Sequence, residues 1–256
     1  QHNHWRENTS FLWFPNHPVR VPTFCVCVYR SIGTLFAPSS VYYIPNFITE
    51  EEERYLVNQV DHAPKPKWTQ LSNRKLQNWG GLPDPKGMIP EKLPQWLETY
   101  CKRIADLGAF EGKLPNHVLV NEYLPGQGIM PHEDGPLYYP TVTTISLGSH
   151  TLLDFYYHLK TSGDEQEPGE ETSLESRHFL SILLEPRSLF ISRDDMYKVH
   201  LHGIAERTED ILTEKVVNID QCKMSLGLTL QRTRRISLTI RHVPKVMKAK
   251  LLFGKR

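Results

Sequence analysis

The residues best suited to chemistry are His132 and Asp134, which end the segment Asn121–Asp134. In an extended segment, side chains two residues apart point to the same side, so this imidazole and this carboxylate can bind one metal ion. A His-x-Asp pair alone is weak evidence, since such pairs also occur by chance on protein surfaces. The Pro and Gly residues that precede the pair strengthen this evidence, because they indicate that the pair lies on a loop held between strands.

A third metal ligand is offered by the segment Tyr197–Ile204, which contains His200 and His202. Two histidines and one carboxylate form the facial triad of non-haem Fe(II) oxygenases, which leaves positions open for a cosubstrate and oxygen. A structural zinc site would more often recruit cysteine, and no cysteine is near either segment. His200 and His202 would share one face of a strand, so their spacing does not decide between them.

A pair of arginines, Arg235 and Arg241, flanks the alternating stretch Ile-Ser-Leu-Thr-Ile. Both would lie on one face of a strand, and a guanidinium that points into a protein interior needs a carboxylate or phosphate partner. The alternative is a basic edge strand with solvated arginines. A zinc hydrolase, the competing metalloenzyme, would not explain the arginine pair.

In this order, the motifs resemble those of the AlkB-type Fe(II)/2-oxoglutarate-dependent dioxygenases. The resemblance covers about residues 41–253. Its motifs are Asn-x-Tyr, a glycine, Met-x-x-His-x-Asp, a distal His-Gly and two arginines six residues apart, which here are Asn121, Tyr123, Gly126, Met130, His132, Asp134, His202, Gly203, Arg235 and Arg241. This chain departs from the family pattern in one place, since a single residue, Pro131, separates Met130 from His132. Longer segments also resemble the family, namely Pro64–Leu71, Lys75–Leu82 and Gly128–Pro140.

The resemblance implies a role for each of these residues. His132, Asp134 and His202 would bind Fe(II) and form the catalytic centre, with His202 chosen over His200 because the family's distal histidine precedes glycine and an aliphatic residue. Arg235 would pair with the distal carboxylate of 2-oxoglutarate, and Arg241 would lie nearer the metal. The full set of cosubstrate residues would be Asn121, Tyr123, Arg235, Ser237 and Arg241, where Ser237 replaces an asparagine of some relatives.

The implied reaction consumes 2-oxoglutarate and O2, releases succinate and hydroxylates a C–H bond. If that bond belongs to an N-methyl group of a nucleic acid base, the methyl group is lost as formaldehyde. Two other functions stay open. A dioxygenase acting on a protein or a small molecule would show no affinity for oligonucleotides, and a nucleic-acid-binding protein with low turnover would bind iron and 2-oxoglutarate without releasing succinate.

The region of about residues 62–90 lacks a clear period and is predicted to be a long functional loop. In AlkB-type relatives the corresponding region forms a lid over a nucleotide. Basic side chains can hold phosphates and aromatic ones can stack on a flipped base, so the lid residues predicted to contact substrate are Lys67, Trp68, Lys75, Asn78 and Trp79. The alternative is a basic surface loop whose tryptophans pack on the sheet.

Local patterns predict the elements that position these residues. Thr49 and Glu52 form a capping box for one helix, and a second helix is expected from about Pro94 to Leu107. Seven short strands follow: His117–Tyr123, Thr141–Leu147, Leu152–Tyr157, Phe179–Leu184, Ser188–Ile191, Lys198–His202 and Arg235–His242. This order favours an α+β fold with an antiparallel sandwich or barrel, and the resemblance implies a double-stranded β-helix, or jelly-roll, core with flanking N-terminal helices.

We expect two parts: a poorly structured extension over residues 1–38 and a dioxygenase domain over residues 39–256. Within the domain, about residues 161–176 read as an acidic surface loop. The basic stretch Arg241–Arg256 could add phosphate contacts.

The composition limits the function less than the motifs do. Thirty basic residues oppose 29 acidic ones, so overall charge favours no partner. The 4 cysteines form no regular framework, which favours reduced thiols and a location in the cytoplasm and nucleus. No apolar run approaches the roughly 20 residues of a membrane span. We expect no membrane association and, most simply, a monomer.

Overall fold

The computed structural model describes residues 41–159 and 173–247, together with the backbone of three two-residue strands near the N-terminus. The helices of this part of the chain are α1 Glu50–Asp61, α2 Gln95–Asp106, α3 Leu174–Arg177, α4 Asp194–Lys198 and α5 Ile219–Cys222, with a 3-10 turn at Lys65–Lys67. The strands are β1 Trp13–Phe14, β2 His17–Pro18, β3 Val26–Cys27, β4 Val41–Ile44, β5 Trp68–Gln70, β6 Lys75–Trp79, β7 His117–Tyr123, β8 Ile129–His132, β9 Thr141–Leu147, β10 Thr151–Tyr156, β11 His178–Leu184, β12 Leu189–Arg193, β13 Leu201–Ile204, β14 Glu209–Ile211, β15 Thr229–Gln231 and β16 Arg235–Arg241.

Two antiparallel sheets form the body of the fold. The larger sheet has the order β3-β4-β12-β9-β16-β7-β6-β5, and the smaller one has the order β11-β10-β13-β8. Their inner faces share a core, in which Tyr123 and Phe190 of the larger sheet join Phe155 and Ile182 of the smaller. This arrangement confirms the predicted α+β fold with a jelly-roll core.

Strict alternation along β16 gives the larger sheet two different faces. Ile236, Leu238 and Ile240 belong to the core that the sheet shares with the helices. The intervening residues line an internal cavity, and these are Arg235, Ser237, Thr239 and Arg241. Successive side chains along a strand point to opposite faces, so one face of β16 packs against the helices and the other face lines the cavity.

Helices α1 and α2 cover the outer face of the larger sheet. The predicted capping box is present: the backbone N–H of Glu52 donates to Thr49 Oγ1 at 3.1 Å, and the N–H of Thr49 donates to Glu52 Oε2 at 2.8 Å. Leu56 of α1 and Leu97 of α2 are fully buried in the core beneath. Each such leucine contributes about 1.5–3 kcal/mol, so burial rather than helix propensity keeps α1 and α2 on the sheet.

Most of the predicted strands agree with the structure, and two have the predicted bounds, His117–Tyr123 and Thr141–Leu147. The strand predicted at Lys198–His202 is wrong in its first half, because α4 extends to Lys198 and β13 begins at Leu201. The region predicted as a loop over about residues 62–90 contains β5 and β6, which extend the larger sheet beyond β7.

Other predictions fall largely on residues outside those described. They concern the extension over residues 1–38, the acidic loop, of which residues 173–176 are described, and the basic end of the chain beyond residue 247. These remain predictions. Among the described residues, no helix is both long and apolar enough to cross a membrane.

Candidate metal and cosubstrate site

His132, Asp134 and His202 form one compact cluster on the inner side of the smaller sheet. One ligand atom from each residue lies within 4.8 Å of the other two. The cluster follows from strand pairing: His132 of β8 and His202 of β13 are direct partners across the two antiparallel strands, with ring centroids 4.6 Å apart. Asp134 follows two residues after His132, as the sequence pattern predicted.

Gly203 allows the two ligand-bearing strands to approach closely. A Cβ atom at this position would lie 2.9 Å from both the carbonyl oxygen of Ile129 and the backbone nitrogen of Pro131. Because real side chains do not tolerate such contacts with backbone, a larger residue would force β8 away from β13. The glycine of the distal His-Gly motif therefore has a steric role beside the metal cluster.

A hydrogen bond to the backbone fixes the orientation of His132. Its Nδ1 lies 2.8 Å from the carbonyl oxygen of Met130. A carbonyl oxygen can only accept, so Nδ1 carries the proton and Nε2 presents its lone pair. This is the usual arrangement of a metal-binding histidine whose second nitrogen donates to the protein.

One carboxylate oxygen of Asp134 accepts a hydrogen bond from the protein, and the other has no partner among the described residues. Nη2 of Arg241 donates to its Oδ1, whereas its Oδ2 is buried without a hydrogen-bond partner among the described residues. Burial alone would raise the pKa of Asp134, but the positive charge of Arg241 outweighs this effect and holds the pKa below its usual value. A charged carboxylate with one free oxygen fits a metal ion.

His202 is suited to metal binding in its neutral form. Burial lowers the pKa of His202 to about 4, against the opposing effect of Asp134. Since a metal binds the unprotonated imidazole, His202 is ready to act as a ligand at neutral pH. His200, the alternative that spacing left open, lies outside the cluster and packs against Tyr157 and Phe179.

Arg235 offers a buried positive charge to a ligand. Its Nη2 donates to Ser146 Oγ at 2.9 Å, while its Nε and Nη1 have no partner within the described part of the chain. Burial lowers the pKa of Arg235 to about 10, still far above neutral, so the side chain keeps its charge. A guanidinium with two free donors fits the distal carboxylate of 2-oxoglutarate.

A cavity of about 260 Å³ joins these groups. All eight residues predicted to bind metal or cosubstrate line it, namely Asn121, Tyr123, His132, Asp134, His202, Arg235, Ser237 and Arg241. Sequence reasoning did not assign several other polar residues of the cavity wall, among them Arg74, Glu133, Tyr138, Ser192 and Thr239. Apolar side chains complete the wall and limit the access of water to the reacting atoms.

Arg74 is the lid residue that reaches the cavity. It sits in the turn between β5 and β6, and its Nε donates to Asn121 Oδ1 at 3.2 Å. Asn121 is thereby oriented from the lid side. The only sequence signal for Arg74 was its place among the basic residues of the lid, and its contact with Asn121 depends on how β6 pairs with β7.

The predicted substrate residues of the lid divide between the two faces of the sheet. Lys75 and Trp79 stand opposite Glu122 and Val118 of β7, and Val118 belongs to the core shared with the helices. Asn78 stands opposite Leu119, which lines the cavity. By strand alternation, Asn78 lies on the cavity face, and Lys75 and Trp79 lie on the helix face.

The tryptophans of the lid already have partners on the helix face. Lys75 Nζ lies 4.4 Å from the ring centroid of Trp68, and Lys67 Nζ lies 4.7 Å from that of Trp79. Trp79 also packs edge-on against Trp96, with ring centroids 5.7 Å apart. None of these observations tests whether the lid contacts substrate, so those five assignments remain predictions.

Two tyrosines position the segment that carries Asp134. Tyr197 of α4 donates from its hydroxyl to the carbonyl oxygen of Gly135 at 3.0 Å, which anchors the chain just after the carboxylate. The ring centroid of Tyr138 lies 4.8 Å from Cζ of Arg241. Helix α4, which ends at the first residue of the strand predicted at Lys198–His202, therefore supports the metal cluster.

A comparison with protein families identifies the class of the protein. Residues 77–241, more than half of the chain, match the 2OG-Fe(II) oxygenase superfamily. The chain belongs to this superfamily, and it is an iron(II)- and 2-oxoglutarate-dependent oxygenase that uses O2. The cluster of His132, Asp134 and His202, with the free Oδ2 of Asp134, fits the iron, and Arg235 fits the cosubstrate.

Individual relatives place the chain with the AlkB homologues and confirm the resemblance found in its motifs. It is 61% identical over 220 residues to the "Probable RNA/DNA demethylase ALKBH6" of Danio rerio, spanning 86% of this chain and 92% of that protein. It is 29% identical over 221 residues to the "Uncharacterized protein L905" of Acanthamoeba polyphaga mimivirus, spanning 83% of this chain and 90% of the viral protein. The structure of OsALKBH1 shares the fold, with a TM-score of 0.53 at 13% identity over 81% of this chain and 100% of that one.

Proposed function

We propose that this protein removes N-methyl groups from nucleic acid bases by oxidation. The observation that carries the proposal is the shared cavity, in which an iron-binding cluster lies beside a buried arginine pair. The similarity to a protein named as a probable RNA/DNA demethylase supports nucleic acid as the substrate class. Nucleic acids occur in both the nucleus and the cytoplasm, so we propose that the protein acts in these two compartments.

The proposal gives the main polar groups of the cavity the following roles. His132, Asp134 and His202 hold Fe(II), which when bound supplies the oxygen chemistry that amino acid side chains lack. Arg235 binds the distal carboxylate of 2-oxoglutarate, helped by Ser237. Asn121 and Tyr123 hydrogen-bond the cosubstrate, and Arg74 keeps Asn121 in place.

The remaining wall of the cavity positions the methyl group and keeps water away. Its apolar members are Leu119, Ile129, Val142, Leu153, Phe155, Leu184, Phe190 and Ile204. A hydroxylated N-methyl group loses formaldehyde without further help from the protein, so the main task of the residues is to place the right C–H bond near the iron. In the lid, Asn78 is the predicted substrate residue best placed to meet the base, because it lies on the cavity face.

The test is product formation on defined methylated oligonucleotides, in single-stranded DNA and RNA. The iron-loaded protein with 2-oxoglutarate and O2 should convert at least one N-methylated base to its unmethylated form, with formaldehyde and succinate released in equal amounts. The matched control is His202→Ala, which should form none of the three. Succinate release that no oligonucleotide stimulates would refute the nucleic acid proposal and favour a protein or small-molecule substrate.

A further inference from the structure

Three aromatic rings form a cluster on the surface just outside the cavity. The rings of Tyr157 and Phe179 are stacked, with centroids 4.3 Å apart and planes 24° apart. His200 meets Tyr157 edge-on at 5.6 Å and lies 4.8 Å from Phe179. We call Tyr157, Phe179 and His200 the aromatic platform.

The platform leaves one aromatic face uncovered. Phe179 covers one face of Tyr157, yet 52% of Tyr157 is exposed. The second face of its ring is therefore open to solvent. A contiguous exposed apolar patch marks a binding site more often than a single exposed apolar residue does.

The platform continues the wall of the cavity outward. Phe155 lines the cavity, and it pairs across the strands with the iron-cluster residue His202. Tyr157 follows Phe155 by two residues, and His200 precedes His202 by two. Tyr157 lies one residue after the end of β10 and His200 one residue before the start of β13, and their ring centroids are 5.6 Å apart. The platform therefore lies next to the cross-strand pair of Phe155 and His202.

A second contact joins the platform to the cavity mouth. His158, next to Tyr157, places its Nε2 3.0 Å from Oε1 of Glu133. Glu133 stands between the iron-cluster residues His132 and Asp134 and lines the cavity. A ligand that leaves the cavity past Glu133 therefore meets the platform next.

A positive charge accompanies the rings. Arg177 donates from Nη1 to the carbonyl oxygen of Tyr157 at 3.1 Å, so its guanidinium lies beside the platform. Its Nε is buried and lacks a hydrogen-bond partner in the described part of the chain. An open ring face beside a guanidinium suits a base together with its phosphate.

We infer that the aromatic platform binds a nucleotide that neighbours the methylated one, by stacking its base on Tyr157 and contacting its phosphate through Arg177. The inference rests on the proposed function and adds a second nucleotide subsite to it. It requires a substrate at least two nucleotides long, with the strand single at this point so that the base can stack. His200 is a supporting member of this subsite, which gives the second histidine of the Tyr197–Ile204 segment a role.

The experiment measures binding of a short methylated single-stranded oligonucleotide to the full-length, iron-loaded protein under anaerobic conditions. Tyr157→Ala should weaken binding roughly 5- to 100-fold, the range expected for losing one base–aromatic stack. Tyr157→Leu keeps the apolar bulk and should show a similar loss, whereas Tyr157→Trp should retain the affinity. Tyr55→Ala is the matched control, because Tyr55 is 50% exposed on α1, and its affinity should equal that of the wild type.

A second arm tests stacking directly. Oligonucleotides with a single abasic position, scanned on either side of the methylated base, keep every phosphate but lack one ring. One position should weaken binding to the wild type, and that position should have no further effect in Tyr157→Ala, because the two changes remove the same contact. Arg177→Gln should weaken binding to intact and abasic oligonucleotides alike.

The outcomes separate this inference from the function on which it rests. If the wild type binds and demethylates an oligonucleotide while Tyr157→Ala, Tyr157→Leu and Tyr55→Ala all bind it equally well, the platform is not a nucleotide subsite and the proposed function stands. If the wild type neither binds nor demethylates any oligonucleotide, the proposed function fails and the subsite with it. Full loss in Tyr157→Trp as well, with no abasic position acting through Tyr157, would indicate a structural role and also overturn the inference.

Discussion

Arg241 donates a hydrogen bond from Nη2 to Oδ1 of Asp134, and this contact leaves Oδ2 of the same carboxylate free beside the two histidines of the cluster. The two residues come from distant parts of the sequence, Asp134 after β8 and Arg241 at the end of β16. The arginine orients the carboxylate and keeps it charged, so it prepares the site for a metal ion without binding one.

Replacing Arg241 should therefore weaken metal binding and make it depend on pH. In the wild type, the positive charge of Arg241 holds the pKa of Asp134 below its usual value. In Arg241→Met this charge is missing, so burial should raise the pKa of Asp134. We expect roughly 10- to 100-fold weaker binding of Fe(II) or Co(II), with the deficit growing as pH falls. Titration of the metal at several pH values measures this. A constant deficit across the pH range would show that Arg241 does not control the charge of Asp134.

The two histidines of the Tyr197–Ile204 segment should respond differently to substitution. His202→Ala should abolish Fe(II) binding, because it removes one of the three clustered ligands. His200→Ala should keep most of it, because His200 belongs to the aromatic platform and not to the metal cluster. Anaerobic metal titration of both variants compares them, and equal losses would contradict the assignment.

Replacing Arg235 should weaken the binding of 2-oxoglutarate but make the cosubstrate-free protein more stable. Arg235→Met should raise the KM for 2-oxoglutarate by roughly 30-fold or more, the consequence of losing 2–5 kcal/mol from a buried charge pair. Without cosubstrate the same variant should be more stable than the wild type, since burial lowers the pKa of Arg235 to about 10 and thus opposes its charge. Thermal unfolding with and without 2-oxoglutarate measures both effects. A variant less stable than the wild type in the absence of cosubstrate would contradict this account of the buried arginine.

Asp210 should make stability fall in acid. It is fully buried and ion-paired with Arg232 at 2.7 Å and with Arg207 at 3.0 Å. Burial would raise the pKa of Asp210, but His150 and then Arg232 hold it down to about 2, below the value of about 3.9 expected in the unfolded chain. The contribution of the charged Asp210 to the free energy of unfolding is therefore complete above about pH 4 and is lost as pH falls towards 2.

The variant Asp210→Asn should lower the free energy of unfolding by about 3–5 kcal/mol at neutral pH, because it leaves the buried Arg232 without its carboxylate partner. It should also flatten the dependence of stability on pH between about 4 and 2. Urea unfolding at several pH values measures this, with Asp106→Asn as an exposed control on α2. Similar curves for Asp210→Asn and the wild type would show that another group dominates acid unfolding.

The parts of the fold that sequence predicts well are those set by local chemistry. Thr49 and Glu52 cap α1 within four residues of chain, and the alternation of Arg235–Arg241 fixes both faces of β16. The metal cluster was predictable for a similar reason, because His132 and Asp134 are two residues apart. Choosing His202 over His200 needed the family motif, since alternation permits either one.

The parts that sequence missed depend on distant contacts. The segment Lys75–Trp79 becomes a strand because it pairs with β7, and this pairing brings Arg74 to Asn121. Helix α4 extends to Lys198, where a strand was predicted to begin, and its Tyr197 donates a hydrogen bond to the carbonyl oxygen of Gly135. Neither contact leaves a periodic signal in the sequence, since tertiary packing decides both.

Succinate formation by the anaerobically iron-loaded protein, started by adding 2-oxoglutarate and O2, tests the central claim most directly. The account predicts succinate from the wild type and none from Asp134→Ala, since that variant lacks the clustered carboxylate. No succinate from wild-type protein that demonstrably holds iron, with methylated oligonucleotides present, would contradict the claim that this site is a working oxygenase centre.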